Sequence, residues 1–166
     1  AAALVVRETK RVSLASVRAF LAERAPDIAI IETDVSSATV AQAAAAHDVE
    51  PAQIAKTLSL RVGERVVLVV TRGDARLDNR KVKNALGGKP RMLDAAEVEA
   101  VTGHPVGGVC PFGLTTPLPV YCDIGLRKFD EVVPAAGSTT SALRITPERM
   151  ALLTGAEWAD LCQDPN

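Results

Sequence analysis

Residues 56–70 read KTLSLRVGERVVLVV. The first seven alternate, with Leu58, Leu60 and Val62 on one side and Thr57, Ser59 and Arg61 on the other, which is the two-residue period of a strand. Gly63 and Glu64 then offer a short turn, and residues 66–70 run wholly apolar. Two such runs around a tight turn predict an antiparallel hairpin. The hairpin decides the fold class, because consecutive hairpin-like strands mixed with helices argue against regular βαβ winding.

Helix signals surround it. Ser13 is read as the cap of a helix whose Leu14, Val17, Phe20 and Leu21 share a face, and Pro26 ends it. IAIIET (28–33) reads as a buried strand. SATVAQAAAAH (37–47) predicts a helix with Val40, Ala43, Ala44 and His47 on one stripe, His47 being read as a satisfied, partly buried side chain; Pro51 opens a short helix, PAQIA. Asp78 caps NRKVKNALGG (79–88), RML (91–93) is a short strand, and Asp94 with Glu97 forms a capping box for residues 95–103. LPVYCD (118–123), a piece near DEVV (130–133) and SALRI (141–145) read as strands, and Thr146 with Pro147 opens PERMALLTG. The expected architecture is α+β: a single domain over residues 1–166 with a mixed, mainly antiparallel central sheet flanked by helices, residues 1–12 being a flexible N-terminal segment.

Composition narrows the function. With 166 residues the chain can bury roughly two-thirds of its unfolded surface in one core. Trp, Tyr and Phe together number five, too few for an aromatic base-stacking platform. A net charge of −1 excludes a globally basic coat, so any nucleic-acid contact is a local patch. The three cysteines, Cys110, Cys122 and Cys162, have no Cys-x-x-Cys spacing and no second Cys/His pair, which disfavours a disulfide framework or a zinc set and fits a reducing cytoplasm. Apolar runs such as VVLVV are too short to cross a bilayer, and AAALVVRETK lacks the pattern of a signal peptide. No membrane partner is expected.

The densest chemistry lies in residues 103–123, GHPVGGVCPFGLTTPLPVYCD, with four glycines, four prolines, His104, Cys110 and Cys122. Four readings fit: a Cys110–His104 nucleophile pair, a metal site, a phosphate cradle and an irregular turn. A separation of six residues between His104 and Cys110 in the chain, with five in between, fixes no distance, and no third group orients the histidine. The candidate metal ligands are scattered, and neither standard phosphate fingerprint surrounds the glycines. Gly107 and Gly108 do permit close approach of bare backbone to a ligand, with N–H groups turned outward and Pro111 stiffening their aim. Lys56, flanked by Ile54, Ala55 and Leu58, is either a snorkelling edge residue or a cation aimed at a pocket. Residues 72–91 hold seven basic and two acidic side chains, including Arg80, Lys81 and Lys83, and are the plausible footprint for a phosphate backbone.

Five stretches in this order, TVAQAAAAHDVEPAQIAKTLSLRV (39–62), GDARLDNRKVKNALGG (73–88), VTGHPVGGVCPFGL (101–114), LPVYCDIGL (118–126) and AAGSTTSALRITPERM (135–150), resemble the YbaK/prolyl-tRNA-synthetase-associated domain family over about residues 35–153. The resemblance implies an enzyme that hydrolyses mischarged aminoacyl-tRNA, tRNA-Pro or a related tRNA carrying a small amino acid. Its partners would be the aminoacylated 3′ end of tRNA and prolyl-tRNA synthetase. It makes Lys56 the family's signature lysine and puts the Gly-x-x-x-Pro loop on Gly107 and Pro111, with Gly108, Val109 and Cys110 between them. Thr39 matches the opening of the pocket-side helix, Gly137 and Ser138 match a late turn near the pocket, and His104 lies just before the loop. Val109, Cys110 and Phe112 become candidate walls of a sieve, with Cys110 standing where relatives often carry Ser or Thr. On this reading Gly107 and Gly108 N–H groups hold the ester carbonyl, Arg80, Lys81 and Lys83 contact tRNA, and neither cofactor nor metal is needed. Two other classes stay open: a non-catalytic module binding tRNA ends or an aminoacyl ligand, and a cysteine hydrolase.

Overall fold

The hairpin forms as its alternation dictates. Ile54–Val62 and Arg65–Arg72 pair antiparallel from Ala55–Arg72 to Val62–Arg65, leaving Gly63 and Glu64 as a two-residue turn in which Gly63 takes φ +63°. The computed structural model describes residues 2–164, with side chains from Ser13 on, so the expectation for residues 1–12 lies outside the described side chains. In chain order the elements are α1 (Ala2–Arg24), β1 (Ile31–Glu32), α2 (Val40–His47), a 3-10 turn (Pro51–Gln53), β2 (Ile54–Val62), β3 (Arg65–Arg72), α3 (Asn79–Leu86), β4 (Pro90–Met92) and α4 (Ala95–Thr102). After a long loop follow β5 (Val120–Asp123), a second 3-10 turn (Ile124–Lys128), β6 (Val133–Pro134), β7 (Ser141–Ala142), α5 (Pro147–Thr154) and β8 (Glu157–Ala159).

The mixed α+β sheet has the order β4-β2-β3-β5-β8. Its β2–β3 and β2–β4 ladders are antiparallel, while β3–β5, β5–β8 and the short β2–β6 pairing are parallel. The apolar run of β3 is explained by burial on both faces. Leu68 and Val70 pack with Val17 and Leu21 of α1 and Met150 of α5, whereas Val67 and Val69 pack with Val82 and Leu86 of α3. All four β3 residues are fully buried, each burial contributing about 1.5–3 kcal/mol. The caps at Asp78, Asp94 and Thr146 form as read, with both halves of the Asp94/Glu97 box in place, and Thr39 with Gln42 adds a capping box that the sequence reading did not name.

Several local readings change. Ser13 does not cap α1: no glycine or proline interrupts residues 2–12, so the helix runs through Ser13, whose buried hydroxyl bonds His104 Nδ1 instead. Of IAIIET only β1 pairs, because its partner β7 is equally short, and Ile28 and Ile30 serve the main core rather than a ladder. Likewise SALRI yields only β7 plus a bridge from Ile145 to Val132, and PAQIA ends as a single 3-10 turn. His47 is buried, but its Nε2 has no partner among the described residues. β8 was unforeseen, since three residues carry no legible period; it extends the sheet beyond β5.

The pairing pattern leaves one opening. β6 covers the outer edge of β2 at Ile54 and Ala55, and β4 covers it at Leu60 to Val62. Among the described residues, no strand lies alongside that edge from Lys56 to Leu58. Facing it is the loop of residues 103–119, pinned to α1 where Gly113, at φ +59°, lies so close that an added Cβ would sit 2.6 Å from Ser16 O. Gly113→Ala is therefore expected to cost about 2–4 kcal/mol, combining left-handed strain with overpacking. Urea unfolding checks this, and a variant as stable as the parent contradicts the close packing.

Candidate active site

The unpaired stretch of β2 is one wall of a cavity of about 270 Å³. Its other walls come from the N-terminal turn of α2, from β4 and α4, and from the loop at Val106, Gly107 and Val109. The lining is mainly aliphatic, as with Ile54, Val98, Val133 and Ala142, and among the described residues it includes no Asp, Glu or His. Thr39 stands at the start of α2, its Oγ1 accepting from Gln42 N–H at 3.2 Å. Lys56 lines the cavity from β2 and is partly buried, its Nζ donating to Ala75 O at 2.6 Å and Gly73 O at 3.3 Å. An ammonium has three donors, so these carbonyls orient the group and leave one N–H uncommitted. Burial pulls the Lys56 pKa below its ordinary value, with Asp74 acting in the opposite direction.

The glycine-rich loop is held from behind. Thr102 Oγ1 accepts from His104 N–H at 3.0 Å, and His104 Nε2 donates to Phe112 O at 2.7 Å, closing the loop on itself. Since Nε2 faces a carbonyl it carries the hydrogen, and Nδ1 accepts from the Ser13 hydroxyl. Burial lowers the His104 pKa and keeps the ring neutral. Gly108 sits where backbone meets backbone: an added Cβ would lie 2.7 Å from Ser138 N. Its N–H donates to Pro105 O at 2.9 Å and its carbonyl accepts from Gly137 N–H at 3.1 Å. The N–H groups of Gly107 and Val109 have no partner among the described residues, and both residues line the cavity.

Of the residues singled out by sequence, the structure thus brings Thr39, Lys56, Gly107 and Val109 to one cavity. Gly108, His104, Gly137 and Ser138 are buried behind the loop, with Ser138 Oγ bonded to Ser141 Oγ at 2.6 Å. Cys110 and Phe112 point into the core rather than the cavity, because Phe112 packs on Phe20 of α1 with ring centroids 5.9 Å apart; Pro111 is buried beside them. The Cys110 thiol lies 3.6 Å from Phe112 O and 3.7 Å from His104 Nε2, but burial pushes its pKa up to about 12, so a thiolate is disfavoured. On α3, Arg80 and Lys83 are exposed, whereas Lys81 is bound by Asp164 at 2.8 Å, Asp160 at 3.1 Å and Cys162 O at 2.9 Å. Those carboxylates raise its pKa and hold it as a clasp on the C-terminal segment. Sequence reasoning passed over Thr57 and Ser59, which also line the cavity; the alternation of residues 56–62 already put both on one face.

Two outcomes follow. In the native chain Cys110, Cys122 and Cys162, each buried with its pKa pushed up to about 12, should resist a thiol reagent and react only after unfolding. Stoichiometric labelling of native Cys110 contradicts this. His47 and His104 both have folded pKa values lowered from 6.5, so the unfolded chain binds more protons below that pH. Their contribution to stability is present above 6.5 and is lost as pH falls toward the depressed values, visible as a declining unfolding free energy that His104→Gln makes less steep.

The chain has clear relatives. A family model described as "Aminoacyl-tRNA editing domain" matches residues 34–152. YwhH of Bacillus subtilis, named only as an uncharacterized protein, is 44% identical over 92% of this chain and 98% of its own length. An Enterococcus faecalis protein named as a candidate Cys-tRNA(Pro)/Cys-tRNA(Cys) deacylase is 30% identical over 68% of this chain and 70% of its own. The proline–tRNA ligase of Desulfovibrio desulfuricans is 36% identical over 65% of this chain, which corresponds to 18% of the ligase. Among solved structures, a candidate trans-editing enzyme for prolyl-tRNA synthetase superposes with a TM-score of 0.85 at 35% identity, covering 92% of this chain and 98% of the other.

Proposed function

The chain belongs to the aminoacyl-tRNA editing domain family, and from that premise we propose that it hydrolyses the ester joining a small, wrongly attached amino acid to the terminal ribose of a tRNA, tRNA-Pro first among them. The observation that carries the reading is that Gly107 and Val109, whose N–H groups have no partner among the described residues, line one small cavity together with Lys56. Such donors match a carbonyl oxygen as negative charge develops on it. An aminoacyl ester is already activated, so a lining without Asp, Glu or His is compatible with its hydrolysis. Water attacks the carbonyl carbon, the C–O bond to the ribose breaks, and the proton passes to the departing ribose oxygen. The neighbouring ribose hydroxyl orients the water, and no side chain acts as general base. Val109 N–H replaces Gly108 N–H in the carbonyl cradle, because the Gly108 donor is spent on Pro105 O. The small volume supplies the second sieve that a synthetase pocket needs, since one methylene is discriminated by only about 1–3 kcal/mol in a single binding step.

Arg80 and Lys83 remain as exposed cations of α3 for the tRNA backbone, without Lys81. The relatives within proline–tRNA ligases support tRNA-Pro and prolyl-tRNA synthetase as the partners. The test is a deacylation panel of tRNA-Pro charged with alanine, serine, cysteine or proline. A mischarged species should be hydrolysed well ahead of the proline species, and Lys56→Ala should lower that rate by about 10²-fold or more. Binding without turnover, unaffected by Lys56→Ala, would contradict the proposal and favour a non-catalytic tRNA-end module.

A further inference from the structure

The cavity wall formed by β2 carries two hydroxyl side chains, Thr57 and Ser59. Thr57 Oγ1 is buried and has no hydrogen-bond partner among the described residues. Ser59 is 3% exposed and lines the same cavity. Buried polar groups are normally satisfied, so the orphaned Thr57 hydroxyl, with a second hydroxyl two residues along the same wall, needs an explanation. They lie two residues apart on one strand, hence on one face, about 7 Å apart along it. A group seated between them is within reach of both, Thr57 by one χ1 step that exchanges its methyl and hydroxyl.

We propose that Thr57 and Ser59 read the side chain of the bound amino acid and fit the cavity to one carrying a hydroxyl, serine in preference to alanine. This rests on the ester-hydrolysis reading of the same cavity. The chemistry selects among small side chains as follows. With no carboxylate in the lining and Lys56 beside it, a cationic group placed against this wall would go unpaired, so the α-ammonium is oriented away from it. An alanine methyl would leave the Thr57 hydroxyl orphaned, and a thiol is a weak donor and a weak acceptor. A third hydroxyl both donates and accepts, and so completes the pair. The surrounding aliphatic wall makes those bonds more discriminating, because an analogue lacking the hydroxyl strands buried polar atoms.

The experiment uses the full chain and tRNA-Pro charged with serine, alanine or cysteine, comparing kcat/KM. The serine:alanine ratio should exceed one, fall by about 10-fold or more in Thr57→Val and in Ser59→Ala, and be retained in Thr57→Ser, which keeps the hydroxyl. Because the Thr57 hydroxyl bonds nothing, the unfolding midpoint of Thr57→Val should equal or exceed that of the parent, an outcome a purely structural threonine would not give. Faster hydrolysis of the alanine or cysteine ester by the parent, or a ratio unmoved in both folded variants, would overturn the inference and leave the editing reading intact. Absence of hydrolysis of all three esters would overturn that reading, and this one with it.

Discussion

β2 is hydrogen-bonded along its inner edge by β3, but on its outer edge it is paired only near its ends, by β6 and by β4. An unpaired edge normally invites association with another strand. Here the interruption is short and recessed, with α2, α4 and the glycine loop standing around it to enclose a cavity. The position of Lys56 follows from this arrangement. It is on the strand at the gap, and the turn after β3 supplies the two carbonyls that hold its ammonium. Without the long β2–β3 ladder neither the gap nor the turn would have a fixed place.

Opposite the gap, order is imposed on a segment with no regular structure of its own. His104 links the two ends of the loop through Phe112 O and links the loop to α1 through Ser13, while Gly108 and Gly137 lock it to the turn before β7. These bonds hold the loop so that Gly107 and Val109 line the cavity, their N–H groups without a partner among the described residues. The family match begins at residue 34, yet the support for this loop includes Ser13 and Ser16 of α1, so the helix preceding the matched segment is part of the site's scaffold.

Much of this was legible in the sequence wherever the cause was local. The hairpin followed from its period, and the caps at Asp78, Asp94 and Thr146 followed from side chains within three residues of their targets. Thr39, Lys56, Gly107 and Val109 were named from the motifs and meet in space. What escaped depends on partners far along the chain. Ser13 and His104 are 91 residues apart, and only that distant acceptor explains a polar side chain buried in the middle of α1. The inward turn of Cys110 and Phe112 is set by α1 packing on the loop, which a Gly/Pro-rich stretch does not encode by period. The basic run suggested a uniform patch, but the acids that occupy Lys81 come from residues 160 and 164.

The central claim is that backbone N–H groups of Gly107 and Val109, with Lys56, receive the carbonyl of an aminoacyl ester. A titration of the ¹⁵N-labelled chain with a hydrolysis-resistant analogue, an aminoacyl group joined to the 3′ position of adenosine through an amide, tests it most directly. The Gly107 and Val109 amides are expected to shift most and saturate together, with Gly108, whose N–H is already bonded to Pro105 O, moving far less. Shifts centred on α3 or the C-terminal segment, with the amides of Gly107 and Val109 unmoved, would contradict it.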